Sequence, residues 1–252
     1  MLKHSPESDP RWQQITRQYQ SDWSLAALEL FGLELTHQQI QVIEAMRLNE
    51  RVSVAVAPGV GTNQLIAVIS ILRVILYPNG MTVIATRDIK PVSERNIRYM
   101  KLLWHTALIN YPWLDLYFSM TDTHFTSRFA DFWAVFYRST NSPESVAGFC
   151  AQHLTIIVPQ ASTVNEEACL VLSSSVTLPD NSMLMVSAPN PIKQSGYFYE
   201  VHNTQNTNFT TLTLSAEDSP LVDSAYLKMK EEQYGGRDSE QYRVTVRALF
   251  PR

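Results

Sequence analysis

Residues 54–65 read VAVAPGVGTNQL, and the interpretation of this stretch decides the fold. Val54, Ala55 and Val56 are the end of an apolar, β-branched run, VSVAVA (52–57), that suits a buried strand. Gly59 and Gly61 then supply a turn, and NQLIAVISILRVILY (63–77) continues as a helix apolar on nearly all sides. A strand, a glycine turn and a helix make a phosphate-binding unit, because glycines let backbone N–H groups turn inward and the helix start adds partial positive charge. Such a loop normally carries Lys for the β- and γ-phosphates, followed by a Ser or Thr hydroxyl for Mg²⁺. Here those positions are Thr62 and Asn63, and Pro58 removes one backbone donor.

Outward from the loop, the chain alternates strands and helices. MTVIAT (81–86) is a strand after a turn at Pro78, Asn79 and Gly80. A helix follows in PVSERNIRYMKLLWHTALINY (91–111), with Pro91 at its start and Pro112 beyond its end. FWAVFY (132–137), LTIIV (154–158), MLMVSA (183–188) and FTTLTL (209–214) supply further strands, while 165–174 and 222–234 supply helices. Before the loop, SDWSLAALELFGLEL (21–35) stops at Gly32, with apolar spacing at Trp23, Leu25, Leu28, Leu30 and Phe31. THQQIQVIEAMRLNE (36–50) opens on Thr36 as N-cap, with Ile40, Ile43 and Met46 on one face. The pattern predicts an α/β fold of the P-loop NTPase kind: a mostly parallel sheet with helices on both faces. A helical N-terminal region (1–50) would precede an α/β domain (51–252), forming one domain overall.

The chain has 252 residues, 45% hydrophobic and 17% charged, enough for a sizeable core and unlike a disordered tail. Its formal charge of −4 excludes a protein that coats nucleic acid by net charge alone. Two cysteines, Cys150 and Cys169, are too few for a disulfide scaffold, and the six histidines include no pair at helical ligand spacing. No metal ligands, signal peptide or membrane span are expected, so the chain reads as reduced, intracellular and metal-free.

The strand LTIIV runs on into Pro159 and Gln160, where an ATPase places Asp to hold magnesium and Glu to activate water. With both stretches in view, the chain resembles the ATPase domain of bacteriophage terminase large subunits, the motors that package DNA. The likeness runs from about Leu35 to Pro251. LTHQQIQVIEAMRLNERVSVAVAPGVGTNQLIAV (35–68) is similar to that family's adenine-contacting glutamine segment and Walker A loop, with Gln39 at the glutamine position. TVIATRDIKPVSERNI (82–97) resembles its second strand and turn, and SPESVAGFCAQHLTIIVPQAS (142–162) its approach to the Walker B motif. MLMVSAPNPIKQSGYFYE (183–200) resembles the segment coupling hydrolysis to movement, with Asn190, Pro191 and Gly196 matching. YGGRDSEQYRVTVRALFPR (234–252) resembles the closing segment, with Ala248 and Leu249 in place of Gly-Glu.

The resemblance implies a phage protein in the host cytoplasm, working with terminase subunits, other packaging proteins or double-stranded DNA. The departures at Thr62, Asn63, Pro159 and Gln160 imply a pseudo-ATPase with a structural or regulatory role, and no cofactor beyond weak ATP binding without hydrolysis. A divergent active ATPase and a terminase mimic that blocks assembly are the alternatives. The family's nuclease domain is not expected. Glu166 and Glu167 could replace the acidic pair, although the first turn of a helix is a common place for acids. Arg95, Arg98 and Lys101 share a helical face that would suit DNA phosphates, a partner or simply solvent. Trp104, Trp113 and Trp133 read as core, and Ser127, Ser162 and Ser195 lack the setting of a nucleophile.

Overall fold

The computed structural model describes residues 5–192, 194–205 and 207–252. Three helices come first: α1 (Pro10–Tyr19), α2 (Trp23–Phe31) and α3 (His37–Leu48). Gly32 ends α2 in the left-handed conformation, at φ +62°. Thr36 caps α3 in a reciprocal capping box with Gln39. The alternating part follows as β1 (Arg51–Val56), α4 (Thr62–Ile75), β2 (Met81–Thr86) and α5 (Ile89–Asn110). A small antiparallel hairpin, β3 (Phe118–Met120) and β4 (Phe125–Ser127), precedes β5 (Val135–Ser139) and β6 (Leu154–Pro159). Then come α6 (Glu166–Ser174), β7 (Ser182–Ser187), α7 (Tyr197–Asn203), β8 (Thr210–Leu214), α8 (Ser224–Tyr234) and α9 (Glu240–Thr245).

Six strands form one parallel sheet in the order β5-β2-β6-β7-β1-β8. The two-residue alternation of strand side chains divides the apolar residues between its faces. Val52, Val54 and Val56 of β1, Ile84 of β2 and Leu184 and Val186 of β7 meet the core built with α1 to α5. Ala55, Val83, Ala85, Met183 and Met185 meet the second core, under α6 and α7. The continuous apolar strands read from the sequence are thus strands buried on both faces.

Helix α4 is buried without a break from Leu65 to Ile75, including two polar residues. The Ser70 hydroxyl donates to the Ile66 carbonyl at 2.7 Å. Arg73 donates to the Asp180 carbonyl at 2.6 Å and lies 4.1 Å from the Tyr77 ring centroid. Burial pushes its guanidinium pKa down. The N-terminal helices join the same core: the Trp12 indole donates to the Ile75 carbonyl at 2.8 Å and meets Trp133 edge-on.

Some details differ from the sequence reading. Leu28 is 50% and Ile40 37% exposed, because α2 and α3 bury a neighbouring stripe, Ala26, Ala27 and Leu30 in one and Val42, Ile43 and Met46 in the other. The strand expected at 132–137 starts at Val135. Phe132 stays exposed, while Trp133 is fully buried and donates to the Val74 carbonyl at 2.7 Å. Trp104 is buried as well, and Trp113 is half-exposed beneath the Arg11 guanidinium. Among the described residues no helix is long and apolar enough to cross a membrane.

Candidate functional site

In an open parallel sheet, ligand sites form outside the carboxyl ends of the strands. The loop after β1 lies at that edge. Gly59 at φ +91° and Gly61 at φ +81° turn it, and Gly61 is the N-cap of α4. Added side-chain carbons would have no room: at Gly59 one would sit 2.6 Å from Val222 Cγ2, and at Gly61 2.6 Å from Gln39 Nε2. Gln39 braces this turn. Its Oε1 accepts from the Thr36 N–H at 3.0 Å, and its Nε2 donates to the Gly61 carbonyl at 3.2 Å. The Ser219 hydroxyl donates to the Gly59 carbonyl at 3.4 Å. Carbonyls of the loop are therefore held from behind, whereas the N–H groups of Gly59, Val60 and Gly61 donate to no acceptor among the described residues.

Beside it, β6 ends at the buried Pro159, and the exposed Gln160 turns the chain at φ +59°. The Gln160 carbonyl accepts from the Thr163 N–H at 2.9 Å, closing a short helical turn. Ser162 and Ser187 hydroxyls meet at 2.7 Å, tying that turn to the end of β7. After β7, the Asn190 side-chain oxygen accepts from the Ile192 N–H at 2.9 Å.

A cleft of about 950 Å³ collects these pieces. Thr62 and Asn63 line it from the loop, Pro159 and Gln160 from β6, and Asn190 from the segment after β7. Arg95 lines it from α5, its Nε donating to the Pro91 carbonyl at 2.8 Å. Arg98 and Lys101 do not line the cleft; Lys101 reaches Asp122 of the hairpin turn at 2.5 Å. Gln39 stands behind the loop and also lies outside the cleft lining. Glu166 and Glu167 are exposed in the first turn of α6, again outside that lining.

Sequence reasoning missed three residues of the lining, Arg87, Asp88 and Asn96. Arg87 and Asp88 follow β2 directly, pair at 3.1 Å and line the cleft. Their place after a parallel strand was the available signal. Asn96 also lines it, 3% exposed, with Oδ1 accepting from the Tyr137 hydroxyl at 2.6 Å and Nδ2 without a partner. Burial pushes the Tyr137 phenol pKa up, so it stays a donor. Asn96 and Tyr137 are 41 positions apart, and no local pattern joins them.

A nucleotide in a cleft of this kind normally brings magnesium, which needs oxygen ligands, usually one or two carboxylates. The residues present do not fit that ion. Pro159 has no side-chain ligand and Asn63 offers an amide in place of a hydroxyl. Asp88, the sole carboxylate lining the cleft among the described residues, is already paired with Arg87. No group of three His, Cys, Asp or Glu residues among the described residues is arranged to hold a metal.

No family model matches the sequence. The chain is 33% identical over 262 aligned positions to the probable terminase large subunit of Enterobacteria phage P7, covering 100% of this chain and 53% of that protein. It therefore spans about half the length of that relative. Among solved structures, the large terminase ATPase domain of Thermus phage P74-26, as a point mutant, matches with a TM-score of 0.64 at 14% identity, over 88% of this chain and 97% of that one. The HK97 bacteriophage large terminase matches with a TM-score of 0.65 at 11% identity, over 92% of this chain and 55% of that one. The large terminase of a thermophilic bacteriophage, solved in complex with ADP, matches with a TM-score of 0.61 at 12% identity, over 85% of this chain and 53% of that one. The chain is thus similar over its whole length to a phage terminase large subunit, and it carries the fold of the large terminase ATPase domain.

Proposed function

We propose that this chain is a pseudo-ATPase of the phage DNA-packaging apparatus: a terminase-type domain that keeps the motor's frame and does not hydrolyse ATP. The observation that supports the reading is the convergence of Thr62, Asn63, Pro159 and Gln160 in one cleft. None of the four supplies an ammonium, a carboxylate or a hydroxyl where the loop's hydroxyl would meet magnesium. Phosphoryl transfer depends almost wholly on electrostatic positioning, so loss of these groups removes catalysis before it removes binding. The role that remains is structural or regulatory, as a non-catalytic partner of an active terminase in the host cytoplasm. Arg98 and Lys101, exposed on α5 away from the cleft, are the side chains we assign to contact with DNA phosphate or with that partner.

The test is steady-state ATP turnover by the purified protein with magnesium. We expect no turnover above the buffer rate. Robust magnesium-dependent turnover, abolished by changing Thr62 or Gln160, would overturn the reading. One observation favours a second reading, an active ATPase with displaced groups: Asp88 places a carboxylate in the cleft. Under that reading Asp88→Asn eliminates a measurable turnover.

A further inference from the structure

A second pocket, of about 250 Å³, lies at the opposite edge of the sheet, beside the amino ends of β1 and β7. Arg73 of α4 lines it, with Trp23 of α2, Glu50 before β1, and Asp180 and Asn181 before β7. Arg73 is 5% exposed, and no carboxylate pairs with it among the described residues. It donates to the Asp180 carbonyl, a neutral acceptor, and its Nε has no partner. The Trp23 indole N–H is buried and unpartnered as well, on a ring whose centroid is 5.9 Å from the guanidinium carbon. Asn181 is 2% exposed; its Oδ1 accepts from the Leu154 N–H at 3.0 Å, while its Nδ2 makes no bond among the described residues. The nearby acids are placed elsewhere. Glu50 pairs with Arg51 at 3.1 Å, and the exposed Asp180 carboxylate lies 3.6 Å from His153 Nδ1.

A guanidinium taken out of water without a counter-charge is costly, which is why buried cations are normally paired. The Tyr77 ring and the Asp180 carbonyl offset part of that cost, and neither carries a charge. We infer that this pocket binds a carboxylate, held by the Arg73 guanidinium and the free amide of Asn181. A guanidinium is planar, always charged and shaped for the two oxygens of a carboxylate. One negative charge matches one uncompensated cation, whereas a dianion would crowd the carboxylates of Asp180 and Glu50 in the same lining. The volume suits a group of side-chain size, being smaller than the ~300–1,000 Å³ of ordinary small-molecule sites. The carboxylate therefore belongs to a small acid or to an acidic residue of a partner chain. Neither source involves the cleft at the carboxyl ends of the strands, so the inference stands apart from the pseudo-ATPase reading.

Titration of the full chain, followed by NMR at the Trp23 indole N–H and assigned by loss of that signal in Trp23→Phe, tests it. The probes are acetate, a capped Gly-Glu-Gly peptide, inorganic phosphate and, as a salt control, chloride. We expect acetate to shift the signal saturably, and phosphate and chloride to leave it nearly unmoved. A peptide that binds more tightly than acetate assigns the site to an acidic residue of a partner; one that binds no more tightly assigns it to a free acid. Arg73→Met should weaken acetate binding about tenfold or more. Asp180→Asn should tighten it several-fold, because it removes a like charge beside the guest. The Asp180 side chain is exposed, so this variant decides the matter should Arg73→Met fail to fold. An unmoved signal with acetate, an equal shift with chloride or phosphate, or the parent's affinity in either folded variant overturns the inference.

Discussion

The turn after β1 and the turn after β6 sit side by side at one edge of the sheet, and they are held in different ways. The first is determined by neighbours: Gln39 bonds it from α3, Val222 and Leu221 press on its glycines, and Gly59 and Gly61 have left-handed φ values. The second is closed by its own chain, with Gln160 at φ +59° and its carbonyl accepting from both the N–H and the hydroxyl of Thr163, and is tied to β7 by the Ser162–Ser187 hydroxyl pair. Backbone shape in the first is part of the core's packing, so it persists whether or not its side chains do chemistry. The side chains of Thr62, Asn63 and Gln160 make no comparable bonds, while Pro159 is buried at the end of β6 and Gln160 occupies a left-handed position. Frame and chemistry are therefore separable in this cleft.

Substitutions can break that comparison, beginning with the largest effect. Gly61→Ala should destabilise the protein by about 2–4 kcal/mol, from left-handed strain plus a collision with Gln39, read as a lowered denaturation midpoint. Gln39→Ala should cost about 1–3 kcal/mol, since it leaves the capping box open and the Gly61 carbonyl unbraced. An unchanged midpoint for either would mean the loop is not held from behind. Ala248 occupies a left-handed position, φ +54°, where the resemblance expects Gly. Ala248→Gly should stabilise by up to about 1 kcal/mol. Thr62→Lys and Asn63→Ser should change stability by less than about 0.5 kcal/mol, because neither side chain is tied into the core. A large loss from either would show that these residues were selected for folding.

A pH titration sharpens the same contrast on the far face of the sheet. His202 of α7 bonds the buried Ser53 hydroxyl of β1 at 2.8 Å, and burial lowers its pKa from 6.5 to about 4. The unfolded chain takes up this proton near 6.5 and the folded chain near 4, so stability falls as pH drops through that window. His202→Gln should flatten the dependence between those values, measured by denaturant midpoints. An unchanged slope would assign the dependence to another group.

Much of this architecture was legible in the chain. The strand, glycine turn and helix at 52–75 came through because a helix apolar on all sides, Leu65 to Ile75, has no place other than against a covered sheet. The reach of α3 was legible at Thr36, since a capping box is a local signal. Other features were not. Leu28 and Ile40 fit an apolar face by spacing, yet the stripe each helix buries depends on which neighbour it meets. The β3–β4 hairpin consists of three-residue strands, too short for a period to register.

By itself, the sequence determined the parallel α/β frame and the glycine turn between β1 and α4. Those are local properties, set by propensity, side-chain period and glycine. Tertiary structure alone decided that Thr62, Pro159 and Asn190 share one cleft, that Gln39 braces the loop from behind, and that Arg87, Arg95 and Asn96 form the facing wall. The physical reason is that a parallel sheet brings the ends of sequence-distant strands to one edge. Which side chains meet there depends on strand order, β2-β6-β7-β1, and no short stretch of chain encodes that order.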